Sequence, residues 1–212
     1  MQVNPDIMAE MGLSVTEAAR RAQIIGATIG TIADLGYRKA TFAKIKERAG
    51  LSSTRMISYH FTNRAGLMQA VLSTVAETKS RFLQERTEGK IGPGDRPGQL
   101  RAHIETSVAF LRDYPECVRV LVEMGNAGED AEGWAMAQIV VNDMRMYGLA
   151  RQLKQGQAEG VFGSFSPEIM AMSVAQAIDG VAAMYAADPT LDLDKYGREV
   201  ADLFERATVK SS

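Results

Sequence analysis

The side chains best suited to binding a polyanion lie close together in this sequence, between residues 41 and 64. Hydroxyl, phenol and imidazole groups can donate hydrogen bonds to phosphate oxygens, and a guanidinium can engage guanine O6 and N7 through two hydrogen bonds. These residue types at short spacing indicate a surface that contacts the backbone and bases of a nucleic acid. The candidates are Thr41, Ser52, Ser53, Thr54, Arg55, Ser58, Tyr59, His60 and Arg64.

The charge of this part of the chain favours the same interpretation. Residues 36–64 hold seven Lys and Arg residues against the single acid Glu47, a net charge of +6, whereas the whole chain carries −2 and the remainder therefore −8. A local basic patch on an otherwise acidic protein indicates that one end of the molecule meets a polyanion. The alternative is a solvated helix face that is rich in Lys and Arg.

Three helical patterns position these side chains. Ser14 to Glu17 fits a capping box, apolar residues then repeat at helical spacing from Ala18 to Ile32, and Gly36 ends the helix. Thr41 is predicted to cap a second helix. The predicted inward face of that helix carries Phe42, Ile45 and Ala49.

A sharp turn follows and leads into the third helix, which is the candidate reading helix. Gly50 suits the left-handed backbone of such a turn, and either Ser52 or Ser53 can accept the first free amides of the next helix. Ile57 and Phe61 are four positions apart and are expected to face the first two helices. The order of helix, tight turn and helix is that of a helix-turn-helix DNA reader.

The candidate residues have different expected roles. Arg55 is the best candidate for base reading, although it could equally clamp a phosphate, and Arg64 is expected to bind phosphate. Tyr59 is an aromatic residue beside basic ones, which favours a functional role over a covering one. His60 could contact DNA or could cap and pack beneath the turn.

The same segment resembles the N-terminal signature of the TetR (tetracycline repressor) family of transcriptional regulators. The resemblance rests on Gly36-Tyr37, Thr41, Ile45, residues 49–52 and Tyr59-His60-Phe61, and covers about a quarter of the chain. It implies an all-helical homodimer in which three N-terminal helices bind operator DNA. A larger C-terminal helical domain would dimerise and hold a small-molecule effector. The expected division is a flexible extension at 1–13, a DNA-binding domain at 14–62 and a dimerisation and effector-binding domain at 63–212.

Two features depart from the common family pattern. One extra residue lies between Ser52 and Phe61, and Ser58 stands where a second Tyr is frequent. The extra residue leaves open which of the two serines caps the reading helix. In addition, Gly66 should weaken the first turn of the fourth helix by up to ~1 kcal/mol relative to Ala, which would suit a hinge there.

The rest of the chain is predicted to be helical, with no competing strand pattern. A long fourth helix runs from Leu67 to Phe82, residues 89–98 form a loop, and further helices cover 100–112, 115–124 and 131–157. Ser166 and Pro167 should start the next helix as cap and first residue. Residues 193–207 form the last one. The fold class is therefore all-α, with a helix-turn-helix head and a C-terminal helical bundle.

The apolar stretch 171–187 is predicted to be a dimer contact rather than a membrane span. Gln176, Asp179 and its short length argue against a bilayer. Its small residues allow two helices to approach closely across a two-fold axis, together with the last helix. A homodimer would present two reading helices about 34 Å apart to successive major grooves.

The C-terminal part could also hold a small apolar or amphipathic effector, since it contains eight of the twelve methionines and several aromatic residues. Such side chains more often form core. His103, Gln176 and Asp179 are polar groups expected on inward faces, where they could orient a ligand or satisfy each other. The full set of candidate pocket residues is Phe82, His103, Phe110, Trp134, Met144, Tyr147, Gln176 and Asp179.

Little in the sequence favours a metal, a cofactor or an enzyme. Cys117 is the single cysteine, the two histidines are far apart, and no glycine-rich phosphate loop is present. Residues 1–13 do not look like a secretory signal, so a cytoplasmic protein is expected. Three hypotheses remain: a repressor released by a small molecule, a dimeric DNA-binding regulator without a ligand, and, least favoured, an all-helical enzyme with an anionic substrate.

Overall fold

Helices alone form the regular structure of the residues that the computed structural model describes, 15–92, 94–125, 139, 142 and 146–210. The all-α prediction is thereby confirmed for these residues. The α-helices are α1 (Val15–Leu35), α2 (Phe42–Arg48), α3 (Arg55–Phe61), α4 (Arg64–Thr87), α5 (Arg96–Asp113), α6 (Pro115–Gly125), α7 (Gly148–Ala158), α8 (Pro167–Ala187) and α9 (Leu193–Thr208), with a 3₁₀ turn at Tyr37–Lys39.

The chain divides into two compact units, and helix α4 belongs to both. Of the described residues, the first unit contains 15–75 and 116–125, and the second contains 76–92, 94–115, 139, 142 and 146–210. Helices α1 to α3, residues 15–61, are called the head below. The second half of α4 with α5, α7, α8 and α9 is called the bundle.

The head is held together by branched apolar residues that each helix contributes. Ile24 and Ile32 of α1, Ile45 of α2 and Ile57 of α3 are fully buried, and Phe61 is 4% exposed. The two helices of the turn thus use their predicted inward residues, four positions apart on α3. Burial of these side chains stabilises the head and leaves the opposite face of α3 in solvent.

The bundle has its own core, in which α5 packs most extensively against α9. Arg101 of α5 adds a polar link, because its guanidinium donates to the carboxylates of Asp202 and Glu205 at 2.5 Å. The buried core residues are Leu100, Ile104, Leu149, Ala150, Leu153, Phe162, Ala171, Val174, Ala201 and Phe204.

Two predicted helix starts had different outcomes. Ser166 caps α8 and accepts a hydrogen bond from the amide of Ile169, with Pro167 as first residue, which confirms that prediction. The predicted loop over 89–98 was too long, because α5 already begins at Arg96. Asp95 accepts a hydrogen bond from the Gly98 amide at 2.9 Å and so caps a helix whose first turn contains Pro97.

Candidate nucleic-acid interface and effector cavity

Helix α2 is fixed at both ends by local hydrogen bonds. The Thr41 hydroxyl accepts a hydrogen bond from the amide of Lys44 at 3.4 Å, which confirms the predicted cap. At the other end Gly50 adopts a φ of 62°, and the amide of Leu51 donates to the carbonyl of Lys46 at 3.0 Å. This is the glycine-dependent helix ending that redirects the chain sharply, so α2 and α3 are joined by a tight turn.

The N-cap residue of α3 is Thr54, whose side chain makes no capping hydrogen bond, so neither serine occupies that position. The two serines before it differ in the hydrogen bonds that they make. The Ser53 hydroxyl accepts a hydrogen bond from the Arg55 amide at 3.2 Å. The Ser52 hydroxyl lies 3.7 Å from the sulfur of Met56 and is exposed. Ser53 therefore satisfies a free amide at the start of the reading helix, and Ser52 is available to a partner.

The outer face of α3 presents three of the predicted contact residues to solvent. Arg55, Ser58 and Tyr59 are exposed, and Tyr59 keeps 75% of its surface accessible. Thr54 is half-buried at the helix start. A guanidinium, a hydroxyl and a phenol on one short helix can reach into a groove while the buried residues of the same helix hold it in place.

His60 is held on the side of α3 that faces α1. Its backbone carbonyl accepts a hydrogen bond from the Arg21 guanidinium, which also lies 4.4 Å from the centre of the Phe61 ring. Burial lowers the pKa of His60, and the positive charge of Arg21 lowers it further. The imidazole is therefore neutral near pH 7, and it contacts the Tyr59 ring edge-on with centroids 5.1 Å apart.

Glu17 of α1 reaches the same surface. Its carboxylate accepts a hydrogen bond from the Tyr59 hydroxyl at 3.4 Å. The phenol is thereby oriented along α1 in the absence of DNA, although its ring remains exposed. Sequence reasoning did not find Glu17 as a neighbour of Tyr59, because the two residues are 42 positions apart.

Arg64, predicted to bind phosphate, is engaged within the protein. Its guanidinium donates to the carbonyl of Ala40 at 2.6 Å and to that of Tyr37 at 2.8 Å. It also lies 4.8 Å from the centre of the Tyr37 ring. These contacts fasten the start of α4 to the turn between α1 and α2, so the structure gives Arg64 a structural role.

Part of the positive charge of the segment is paired locally. Arg48 crosses Gly30 of α1, where an added Cβ would come within 2.5 Å of the guanidinium, and forms an ion pair with Asp34 at 2.5 Å. Lys44 pairs with Glu47 at 3.3 Å. Arg55 and, outside the reading helix, Arg38 and Lys39 are exposed. The cationic surface offered to a polyanion is thus smaller than the sequence count of +6 indicates.

Gly66 has a packing reason for being glycine. A Cβ at this position would lie 2.5 Å from the carbonyl oxygen of Phe61, and its amide donates to the Asn63 side chain at 2.8 Å. The expectation of a soft hinge at Gly66 came from helix propensity alone. The structure shows instead that α3 and α4 approach too closely for a side chain here.

Glu123 of α6 contacts the head and was missed by sequence reasoning. Its carboxylate accepts a hydrogen bond from the Tyr37 amide at 3.1 Å. Gly36 beside it has φ 83° and ψ 159°, and a Cβ there would lie 2.8 Å from the carboxylate oxygen. No local signal could have found this contact, because 86 positions separate the two residues.

The bundle contains a cavity of about 240 Å³. Helix α4 contributes its last turns, α5 its first turns, α7 one residue, and the segment between α4 and α5 closes one side. Burial lowers the pKa of His103 to about 3, so its imidazole is neutral at physiological pH. The lining residues are Leu83, Thr87, Ile91, Gly92, Gln99, Ala102, His103 and Gln152.

Of the residues predicted for a pocket, His103 lines this cavity, and the other described ones lie elsewhere. Phe82 and Phe110 pack with Tyr114 in an aromatic cluster, with ring centroids 4.9 to 5.8 Å apart. Tyr147 is exposed, and so are Gln176 and Asp179 on α8. Their expected inward orientation was wrong because the buried stripe of α8 runs through Ala171, Val174, Ala175 and Val181. Trp134 and Met144 lie outside the described residues.

Helices α8 and α9 expose apolar side chains to solvent. Ile169 and Leu203 each keep 61% of their surface accessible, and Met172 and Met184 of α8 are exposed as well. By length and composition α8 could cross a membrane. Gln176 and Asp179 on its exposed side would then face lipid, which is costly, so a contact with a second protein surface accounts better for this face.

Among the described residues, no group of three or more His, Cys, Asp or Glu side chains is placed to hold a metal ion. Cys117 is buried, and burial raises the pKa of its thiol to about 11. A thiol that stays protonated is a poor nucleophile and a poor metal ligand.

Sequence comparison relates part of the chain to DNA-binding regulators. The HTH-type transcriptional regulator BetI of Cronobacter sakazakii is 36% identical over 74 residues, 35% of this chain and 34% of that protein. BetI of Stenotrophomonas maltophilia is 36% identical over 90 residues, 42% of this chain and 44% of that protein. The chain thus matches less than half the length of these relatives, which are transcriptional regulators and not enzymes. No family model matches the chain.

Structural comparison covers nearly the whole chain. A TetR transcription regulator of Haloarcula marismortui superposes with a TM-score of 0.71 at 19% identity, over 91% of this chain and all of that one. SmeT, solved as a complex with triclosan, gives a TM-score of 0.71 at 19% identity over 92% and 93% of the two chains. At this identity the similarity establishes a shared fold.

Proposed function

We propose that this chain, which has the fold of TetR-family transcriptional regulators, is a dimeric DNA-binding repressor that a small molecule releases from its operator. The single observation that carries the DNA-binding part is the exposed face of α3, with Arg55, Ser58 and Tyr59 on a helix that buried residues anchor and whose first amide donates to Ser53. Such a face is the recognition surface of a helix-turn-helix. The regulator is proposed to act in the cytoplasm.

The exposed apolar side chains of α8 and α9 support the dimer. Paired across a two-fold axis, Ile169, Met172 and Leu203 would be removed from water as a four-helix contact. Each Å² of apolar surface that the contact removes from water would contribute about 25 cal/mol to the free energy of association. Two reading helices would then require a nearly palindromic operator.

The cavity at the end of α4 supports control by a small molecule. Leu83 and Thr87 of α4 line it, and the same continuous helix begins at Arg64, which holds the turn between α1 and α2. A ligand that binds better when α4 is in one position shifts the protein towards that position. The SmeT complex with triclosan is a ligand-bound example of the fold.

The DNA-binding part is tested by mapping bound sites across the genome and then measuring electrophoretic shifts with a recovered site. Arg55→Ala should weaken binding by about tenfold or more and relax the preference for that site, since a bidentate contact to guanine contributes ~1 to 3 kcal/mol. Lys154→Ala removes one positive charge from an exposed position of α7 and should leave binding unchanged. Equal effects of the two substitutions would show that α3 is not the reading surface.

A further inference from the structure

The walls of the bundle cavity combine apolar side chains with neutral polar ones. Leu83, Ile91 and Ala102 provide the apolar part, and His103, Gln152 and Gln99 the polar part. In the described part of the chain, the lining contains no Asp, Glu, Lys or Arg side chain. A charged ligand would gain no opposite charge from these side chains, so it would lose part of its hydration without compensation.

Two of the polar groups in the wall have hydrogen-bonding capacity to spare. Gln99 is already engaged, since it accepts from Arg96 at 3.0 Å and donates to the Gly92 carbonyl at 3.3 Å. By contrast, no hydrogen bond to another residue is found within the described part of the chain for the half-buried imidazole of His103 or for the amide of Gln152, which is exposed at the rim of the cavity. A neutral imidazole offers one donor and one acceptor, and a primary amide offers both as well.

The helix face that carries His103 continues into the core as a polar row. Gln99, His103 and Ser107 follow at intervals of four on α5, so they lie on one face of the helix. The Ser107 hydroxyl is buried and has no hydrogen-bond partner in the described part of the chain. The side chains of α5 that lack a hydrogen-bond partner in the described part of the chain, His103 and Ser107, therefore lie on the helix face that begins at the cavity.

The positive charge of Lys79 opposes protonation of the His103 imidazole. Lys79 does not line the cavity and has interactions of its own. A second cation, the Arg96 guanidinium, donates to Gln99 of the wall. The two positive charges disfavour a cationic ligand, and an anion could gain from them. A direct comparison of ligand charges therefore decides between the classes.

We propose that the cavity binds a small uncharged molecule with an apolar body and one amide-like or hydroxyl group, which hydrogen-bonds to His103 and Gln152. The proposal rests on the proposed function, because it specifies the effector of that regulator. The volume of about 240 Å³ corresponds to roughly eight waters at ~30 Å³ each, which is enough for a molecule the size of a single substituted ring.

The test uses three probes of nearly identical shape, neutral benzamide, anionic benzoate and cationic benzamidinium, with the full-length protein in the absence of DNA. Benzamide should raise the melting temperature and bind once per chain by calorimetry, at least tenfold more tightly than either charged probe. Stronger or equal binding of benzoate or benzamidinium, or no binding of any probe at millimolar concentration, overturns the proposal.

Variants identify the residue that recognises the polar group. His103→Phe keeps an aromatic ring but loses both hydrogen-bonding atoms, and it should weaken benzamide binding by about tenfold. His103→Gln should restore part of the affinity, and Gln84→Leu, at an exposed position of α4, should change nothing. Unchanged benzamide affinity in a folded His103→Phe variant overturns the assignment of His103.

The experiments distinguish a failure of the proposed ligand class from a failure of the proposed DNA-binding function. Probe binding is measured without DNA, and operator shifts are measured on the parent protein without any probe. A protein that binds benzamide but no DNA would contradict the proposed regulator and leave the ligand class in place. A protein that binds DNA but prefers a charged probe would contradict the ligand class alone.

Discussion

The head and the bundle differ in how far along the chain their candidate site residues are spread. In the head, the exposed contact residues fall within a short stretch of the sequence and are aimed by the caps and anchors of the same stretch. In the bundle, the cavity wall joins residues from Leu83 to Gln152, carried by three helices and a connecting segment. A site on one short motif is set by local rules, whereas a cavity is set by packing between distant segments.

This contrast bears on what each site can tolerate. The reading face of α3 is solvated, so most of its side chains can change without loss of folding free energy. The cavity wall is half-buried between helices of the bundle, where a substitution alters helix contacts and ligand contacts together. Regulatory proteins that keep a stable reading surface and vary their effectors would use such a division.

The largest loss of stability is expected at Gly36, where the head contacts Glu123, a residue from a distant part of the sequence. Gly36→Ala places a Cβ in a backbone region that is nearly exclusive to glycine and 2.8 Å from the Glu123 carboxylate. It should lower the free energy of unfolding by about 3 kcal/mol in urea denaturation.

Gly50→Ala is the matched control for Gly36→Ala. Gly50 also has a positive φ, of 62°, but a Cβ there would meet nothing within 4 Å. Its replacement should cost only about 1 kcal/mol. Equal losses for the two variants would show that the contact between Glu123 and the turn at Gly36 does not form in solution.

The next effect separates two arginines that the sequence treats alike. Arg64→Ala removes two hydrogen bonds to backbone carbonyls and a contact with the Tyr37 ring, and it should cost about 2 kcal/mol of stability. Arg55→Ala should stay within about 0.5 kcal/mol of the parent, because its side chain is exposed. Thermal and urea unfolding of both variants would measure this difference. Reversed stabilities would mean that Arg64 points to the phosphates as the sequence suggested.

The sequence predicts contacts within a short stretch of chain but not contacts between distant stretches, and this explains the difference between the two regions. The caps at Thr41 and Ser166 and the anchors Ile57 and Phe61 were predicted because each depends on residues a few positions away. The roles of Arg64, Glu17 and Glu123 could not be predicted, because each is defined by a partner on another element.

In the bundle, composition identified aromatic and polar residues but not their direction. Phe110 stacks on Tyr114 and Phe82 contacts it edge-on, whereas Gln176 and Asp179 face solvent. Helical spacing fixes which residues share a face, but the face that becomes buried depends on the neighbouring helices. His103 was found because a histidine near apolar residues is conspicuous, whereas Gln152 carries no such signal.

A smaller effect is expected from the pH dependence of the bundle. Burial holds the pKa of His103 near 3, compared with about 6.5 in the unfolded chain. Between these values the unfolded state binds a proton that the folded state does not, so stability falls as the pH drops from about 6.5. The contribution of this group is at most about 1.4 kcal/mol per pH unit.

His103→Phe removes that proton uptake and should flatten the acid side of the stability curve, measured by urea unfolding at several pH values below neutrality. His60→Phe in the head is the comparison, since His60 has a lowered pKa but lies at the surface of α3 and α1. It should flatten the curve less. If His60→Phe has the larger effect, then the head and not the bundle contains the more strongly buried imidazole.

The smallest loss of stability is expected at the two serines before α3, where the sequence alone could not distinguish their roles. Ser53→Ala should cost about 0.5 to 1 kcal/mol, because the Arg55 amide loses the hydroxyl that accepts its hydrogen bond. Ser52→Ala should change stability by less than that, since its hydroxyl contacts only the Met56 sulfur at 3.7 Å. Its effect should appear in DNA affinity instead, if the exposed hydroxyl meets a phosphate. Urea unfolding and electrophoretic shifts on the same two variants would measure both quantities. A stability loss confined to Ser52→Ala would show that the reading helix starts one residue away from its position in this structure, and that its outward face does not carry Arg55.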